Sequence, residues 1–127
     1  MKKTSGKHVL VVDDDSQLRE VLKALLALDD HTVVEANNGA EALGLFKPGR
    51  FDLVITDLKM PHVPGNVLAR RIKELAPQQP ILMLTAYAWR SHLGNPVDVV
   101  IRKPFGFDDF RKTLAGLLSA SAETNVN

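Results

Sequence analysis

The sequence predicts an α/β domain in which a doubly wound parallel sheet of five strands carries helices on both faces. Short runs of consecutive apolar residues, rich in valine, isoleucine and leucine, recur along the chain, as in strands that are buried on both faces. Stretches whose apolar residues recur at helical spacing follow most of these runs. Polar residues, or Gly and Pro, mark the points where the runs end. Strand and helix therefore alternate, which is typical of a parallel sheet.

The first strand and helix show this pattern most plainly. Residues 8–12 form a valine-rich run that stops at Asp13. Apolar residues then recur over residues 18–26 at the spacing of one helix face. Asp15 or Ser16 can cap this helix, because either side chain can accept hydrogen bonds from its first backbone N–H groups.

The next two units repeat the pattern. Residues 32–35 predict a second strand, and the two asparagines and the glycine at 37–39 supply a turn. A short helix is predicted over residues 40–46. The third strand is predicted over residues 51–56, and the helix after it over residues 66–76.

The last part of the chain is less regular. Residues 80–84 and 97–101 predict the fourth and fifth strands, and the stretch between them is long enough for a short helix over residues 87–93. The apolar residues over 107–118 predict a last helix. Small and polar residues over 119–127 predict a frayed tail.

Length and composition favour one globular domain. The chain has 127 residues, of which 45% are hydrophobic and 24% charged. We expect a domain over residues 6–119, with flexible ends at 1–5 and 120–127. The absence of cysteine excludes a disulfide scaffold and thiolate metal sites. A net charge of +1 gives no electrostatic argument for nucleic-acid binding, and no apolar run is long enough for a membrane helix, so we expect a soluble cytoplasmic protein.

Five polar residues that follow predicted strands carry the functional argument. Right-handed crossovers place the carboxyl ends of all parallel strands at one edge of the sheet, where ligands bind in such folds. The five are Asp13, Asp14, Asp57, Thr85 and Lys103. We therefore expect them to converge although they are far apart in the sequence.

Clustered carboxylates need a counter-charge. Two of them ~4 Å apart repel by about 4 kcal/mol at an effective dielectric constant of about 20. Mg²⁺ is the expected partner, because it takes carboxylate and carbonyl oxygens and leaves room for a phosphoryl oxygen. An ammonium group, a hydroxyl and a carboxylate nucleophile beside the cation would suit phosphoryl transfer to an aspartate.

Four sequence blocks, each at a predicted strand end, carry a family resemblance over nearly the whole chain. They are Val9-Leu10-Val11-Val12-Asp13-Asp14-Asp15, Asp57-Leu58-Lys59-Met60-Pro61 with Gly65, Leu84-Thr85-Ala86, and Lys103-Pro104-Phe105. In this order they resemble the receiver domain of two-component response regulators. The resemblance implies a flavodoxin-like sheet with strand order 2-1-3-4-5.

The resemblance also implies roles for individual residues. Asp57 matches the phosphoacceptor, and Asp14 and Asp13 match the carboxylates that bind Mg²⁺ directly and through water. The backbone carbonyl of Lys59 matches a further metal ligand. Lys103 matches the lysine that pairs with the phosphoryl group. The resemblance also implies that the peptide bond between Lys103 and Pro104 is cis. Thr85 matches the hydroxyl that moves toward the phosphoryl group as the domain switches.

The same resemblance implies the partners. The phosphodonor would be a sensor histidine kinase or a phosphotransfer protein, and the phosphorylated chain would act on a downstream protein. We expect no direct contact with nucleic acid, no membrane insertion, no output domain, no enzymatic function, and a monomer or weak dimer.

Three positions depart from the family pattern. Val100 stands where the family usually has an aromatic residue, three residues before the lysine. The segment between Thr85 and Lys103 is shorter than usual by about one helical turn. Pro64 stands before Gly65, where an aspartate is common. The acceptor chemistry is therefore expected to be intact and the readout unusual.

Two alternatives remain open from the sequence. The chain could be a degenerate receiver that binds partners without phosphorylation. The intact acceptor site argues against this alternative, whereas Val100 and the short segment keep it open. It could also be a Mg²⁺-dependent phosphatase with Asp13 as nucleophile, since Asp13 and Asp15 form an Asp-x-Asp motif after a strand. A separate hypothesis concerns the phosphoryl lifetime. Lys59 and Tyr87 are expected to flank the path of attacking water, and Tyr87 is expected to shield the acyl phosphate.

Overall fold

The computed structural model describes residues 5–87 and 96–124, with side chains described as far as residue 119. The strands are β1 (His8–Val12), β2 (Thr32–Ala36), β3 (Leu53–Asp57), β4 (Ile81–Thr85) and β5 (Val99–Arg102). The helices are α1 (Ser16–Ala27), α2 (Gly39–Leu45), α3 (Gly65–Leu75) and α4 (Phe107–Thr124). Most of the helix predicted over residues 87–93 lies outside the described residues.

The five strands form one parallel sheet in the order β2-β1-β3-β4-β5. The predicted strand order is therefore confirmed. Asp57, the last residue of β3, pairs with Leu84 of β4, and Thr85 pairs with Arg102 of β5. The carboxyl ends of these three strands consequently lie side by side.

Side chains alternate between the two faces of the sheet, and each face has its own core. Leu10 and Val12 of β1 pack with buried residues of α2 and α3, whereas Val9 and Val11 pack with buried residues of α1 and α4. Both faces are thus covered, which explains why the strands read as continuous apolar runs. The predicted α/β class with helices on both faces is confirmed.

The strands β3 and β5 each begin two residues later than the sequence predicts, and a carboxylate stands before each. Asp52 precedes β3, and its Oδ2 accepts a hydrogen bond from the backbone N–H of His8 at 2.8 Å. Asp98 precedes β5, and its Oδ2 accepts from the N–H of Ile81 at 2.8 Å. At these two positions a side-chain carboxylate therefore accepts the hydrogen bond of a backbone N–H group in the neighbouring strand.

The last helix is longer than the sequence predicts. It continues past residue 119 to Thr124, since the serines and alanines there do not stop a helix as Gly or Pro would. The assignment of residues 1–5 and 120–127 as flexible ends stays a prediction. Within the described residues, no helix combines the length and the hydropathy needed to cross a membrane.

Candidate functional site

Three carboxylates meet at the carboxyl edge of the sheet. Asp13 and Asp14 directly follow β1, and Asp57 ends the neighbouring strand β3. One carboxylate oxygen from each lies within 4.8 Å of the others, so a single cation could contact all three side chains. The convergence that the sequence predicts for these aspartates is therefore present in the structure.

Asp13 is the buried member of this cluster, with 4% of its side chain exposed. Its Oδ1 accepts a hydrogen bond from the backbone N–H of Asp15 at 2.9 Å, and its Oδ2 lies 3.3 Å from Nζ of Lys103. Burial raises the pKa of the Asp13 carboxyl above its ordinary value, and the charge of Asp57 adds to this effect. The Asp15 amide and the Lys103 ammonium oppose the rise in pKa.

Asp57 is more accessible, with 13% of its side chain exposed. Its Oδ1 accepts a hydrogen bond from the backbone N–H of Leu58 at 2.8 Å and lies 3.6 Å from Nζ of Lys103. Its Oδ2 accepts no hydrogen bond from the described residues. Asp14 is also exposed to solvent. The open side of the cluster is therefore formed by Asp14 and Asp57.

Lys103 supplies the positive charge of the site. Its ammonium lies between the carboxylates of Asp13 and Asp57, at 3.3 and 3.6 Å. Its backbone N–H donates to the carbonyl of Thr85 at 2.9 Å, which ties the segment after β5 to the end of β4. The Lys103–Pro104 peptide bond is cis, as the resemblance implies.

Thr85 is fully buried at the end of β4. Its Oγ1 accepts a hydrogen bond from the backbone N–H of Tyr87 at 3.0 Å. The hydroxyl is thus held by its own loop. In the sheet, Thr85 directly follows Leu84, the residue that pairs with Asp57, and its backbone carbonyl binds the N–H of Lys103.

Lys59 and Tyr87 contact one another across two loops of this edge. The ammonium of Lys59 lies 4.1 Å from the centroid of the Tyr87 ring, within the range of a cation–π interaction. That both residues flank the path of attacking water stays a prediction, and their contact with one another does not follow from the sequence. The role of the Lys59 carbonyl as a metal ligand stays a prediction.

Gly65 explains part of the second sequence block. Its N–H donates to the carbonyl of Leu58 at 2.7 Å. A Cβ at this position would lie 1.8 Å from the backbone oxygen of Asp57. Only glycine therefore allows the start of α3 to pass so close to Asp57.

Arg19 lies next to this site, although the sequence does not single it out. Its guanidinium contacts the backbone carbonyl of Asp13 and the side chains of Glu35 and Asn37. The sequence places Arg19 only within the predicted helix. It cannot show these contacts, because Glu35 and Asn37 belong to another part of the chain.

Known proteins share this fold over nearly the whole chain. The protein TrrA of Thermotoga maritima, crystallised in complex with Mg²⁺-BeF, is 38% identical with a TM-score of 0.81, over 87% of this chain and 98% of that one. A CheY-like receiver domain protein of Methanospirillum hungatei is 26% identical with a TM-score of 0.88, over 95% of this chain and 100% of that one.

Curated relatives include longer proteins. The transcriptional regulatory protein ResD of Bacillus subtilis is 31% identical over 98% of this chain and 53% of its own length. ZraR of Escherichia coli K12, also a transcriptional regulatory protein, is 37% identical over 91% of this chain and 28% of its own length. The chain thus spans about half or less of these relatives. Residues 9–115 match the family described as the response regulator receiver domain, and the chain belongs to that family.

Proposed function

We propose that this chain is a phosphoacceptor in a two-component signalling system and that Asp57 receives the phosphoryl group. Receiver domains are phosphorylated by histidine kinases, so the proposed donor is a phosphohistidine of a sensor kinase or a phosphotransfer protein. The observation that carries the proposal is the position of the Asp57 carboxylate, 3.6 Å from the Lys103 ammonium and within reach of two further carboxylates.

The residues at this edge fit Mg²⁺. Asp13, Asp14 and Asp57 form the acidic triad typical of Mg²⁺-binding receiver sites, and their oxygens are the hard ligands that this cation prefers. We propose that these three carboxylates hold it, together with the carbonyl of Lys59. When bound, Mg²⁺ would offset the negative charge of the carboxylates and of the incoming phosphoryl oxygens.

The proposed transfer is a direct displacement. A carboxylate oxygen of Asp57 attacks phosphorus, the P–N bond to the donor histidine breaks, and its electron pair goes to the imidazole nitrogen, which is then protonated. Oδ2 suits the role of nucleophile, because it carries no hydrogen bond from the described residues. Lys103, which Asp13 holds at 3.3 Å, supplies positive charge next to the phosphoryl oxygens.

The proposed switch passes through Thr85. In the structure its hydroxyl accepts a hydrogen bond from the Tyr87 amide, and it would leave this amide to donate to a phosphoryl oxygen. Val100 packs against the core on the α2 and α3 face, where the family pattern has an aromatic residue. We therefore propose that the conformational change reaches the surface without a rotating ring at this position.

The proposed readout is a downstream protein partner in the cytoplasm, reached without direct contact to nucleic acid and by a monomer or weak dimer. The family supports a signalling role, because its members are receivers and not enzymes. The phosphatase alternative has no support from the site. Both oxygens of Asp13 are already engaged and its side chain is almost fully buried, which does not suit a nucleophile.

The proposal is tested by intact mass after incubation with acetyl phosphate, with and without Mg²⁺. We expect wild type to gain about 80 Da, the mass of one phosphoryl group, only when Mg²⁺ is present. Asp57→Asn should gain nothing. Asp52→Asn is the matched control, because this carboxylate lies at the opposite edge of the sheet, and it should behave as wild type.

Two results would contradict the proposal. No gain in wild type would favour the degenerate receiver, which acts without phosphorylation. A full gain in Asp57→Asn would place the acceptor elsewhere and would return Asp13 to consideration.

A further inference from the structure

Arg19 connects helix α1 to the loop that carries two of the aspartates. Its Nη1 donates to the backbone oxygen of Asp13 and to Oδ1 of Asn37 at 3.1 Å. Its Nε donates to Oε1 of Glu35 at 3.1 Å. With 15% of its side chain exposed, this arginine is largely buried, and all three acceptors lie outside its own helix.

The contact with the Asp13 oxygen fixes more than one atom. The carbonyl of Asp13 and the amide of Asp14 belong to one planar peptide unit, so an anchor on the oxygen sets the direction in which Asp14 leaves the strand. Other atoms of the loop have anchors as well. The N–H of Asp13 donates to the carbonyl of Ala36 at 3.2 Å, and the N–H of Asp15 donates to the Asp13 side chain.

The anchor is itself held in place. Glu35 belongs to β2, and its carboxylate forms an ion pair with the guanidinium of Arg19. Asn37 follows this strand, and its backbone N–H donates to Oε1 of Glu41 at 3.2 Å. Because the guanidinium is planar and offers several donors in fixed directions, it can reach all three acceptors at once, which one lysine ammonium cannot do with the same geometry.

We propose that Arg19 is a positioning residue for the metal site, which orients the peptide between Asp13 and Asp14 and thereby sets the Mg²⁺ affinity. This inference rests on the proposed function, in which the three carboxylates hold Mg²⁺. Arg19 does not touch the cation. It acts from behind the loop, as residues that orient metal ligands commonly do.

The test is Mg²⁺ titration by calorimetry on folded protein, with urea unfolding measured in parallel. We expect Arg19→Ala to weaken Mg²⁺ binding about tenfold, in line with the loss of other partners that orient metal ligands. Arg19→Lys should give an intermediate affinity. Arg111→Ala is the matched control, because it also removes a hydrogen-bonded arginine. Arg111 makes two hydrogen bonds to the carboxylate of Asp29, away from the metal site.

A second measurement separates positioning from general stability. In metal-free protein, the backbone amide resonances of Asp14 and Asp15 should shift in both Arg19 variants and stay in place in Arg111→Ala. If Arg19→Ala does not fold, Arg19→Lys carries the same test. Mg²⁺ affinity equal to wild type in the Arg19 variant that folds would overturn the inference and leave the proposed function intact. Failure of wild type to bind Mg²⁺ would overturn both.

Discussion

At the scale of single residues, the position of Asp57, the proposed acceptor, depends on a backbone contact as well as on the charged groups around it. Gly65 begins α3 directly against the backbone of Asp57, and a methyl group there would overlap the Asp57 oxygen at 1.8 Å. The neighbouring Leu58 carbonyl accepts a hydrogen bond from the same glycine. A side chain at position 65 must therefore displace either the start of α3 or the backbone of Asp57.

We expect Gly65→Ala to lower the free energy of unfolding by at least about 2 kcal/mol, because the overlap is with backbone that cannot rotate away. Phosphoryl uptake should also slow, since Asp57 moves with its backbone. Urea unfolding and the mass assay measure the two effects. Gly116→Ala in α4 is the control: nothing lies within 4 Å of its new Cβ, and it should stabilise the protein by about 0.5–1 kcal/mol. Equal effects from the two changes would contradict the steric argument.

The pair of Lys59 and Tyr87 gives a second prediction at this scale. The Tyr87 ring is half exposed, and the Lys59 ammonium lies 4.1 Å from its centroid. Tyr87→Ala should shorten the lifetime of the phosphorylated form several-fold, because water gains access to the acyl phosphate. Tyr87→Phe keeps the aromatic face and should decay at nearly the wild-type rate. The decay of the mass-shifted species measures both, and equal rates for wild type and Tyr87→Ala would refute the shielding role.

Site residues that stand at strand ends could be predicted from the sequence. Residues whose role depends on contacts with distant parts of the chain could not. Asp13, Asp57, Thr85 and Lys103 each stand at a strand end, so the fold class alone brings them to one edge. Nothing near Arg19 in the sequence shows that this helix residue contacts Glu35 on β2. The contact between Lys59 and Tyr87 likewise depends on the conformations of two loops.

At the scale of helices and strands, α1 begins with a defined cap. Asp15 Oδ1 accepts hydrogen bonds from the backbone N–H groups of Gln17 and Leu18 at 3.0 and 3.3 Å. Asp15→Ala should lower the free energy of unfolding by about 1 kcal/mol, whereas Asp15→Asn should cost little, because asparagine caps a helix equally well. Urea unfolding without Mg²⁺ measures both. A loss in Asp15→Asn as large as in Asp15→Ala would assign the effect to charge and not to the cap.

The existence of each described strand and helix followed from apolar periodicity, but the first residues of β3 and β5 did not. Phe51 and Val97 are apolar and buried, so the sequence extends β3 and β5 back to them. In the structure each is followed by an aspartate whose side chain binds a neighbouring strand. Apolar character reports burial, whereas strand bounds depend on backbone pairing, which a side-chain acceptor can replace.

At the scale of the whole molecule, the edge of the sheet opposite Asp57 contains a buried histidine. His31 is 7% exposed, and its Nδ1 accepts a hydrogen bond from the backbone N–H of Lys7 at 3.0 Å. Burial lowers the pKa of His31, and the nearby Asp29, Asp52 and Asp30 only partly oppose this effect. The neutral ring therefore joins the start of β2 to the residue before β1, and protonation of Nδ1 would remove the acceptor.

The sign of the pH dependence follows from this lowered pKa. On acidification the unfolded chain takes up the proton first, near the ordinary histidine pKa of about 6.5, so the contribution of neutral His31 to stability is complete above that pH. It is lost as the pH falls toward the pKa of the folded state. Urea unfolding in EDTA between about pH 7.5 and pH 5 should show a decline that is smaller in His31→Asn, whose amide oxygen can accept at any pH. His62→Asn is the control, because His62 is exposed and its φ of 70° is one that asparagine adopts readily, so its decline should match wild type. An unchanged decline in His31→Asn would show that other groups set the acid stability of the fold.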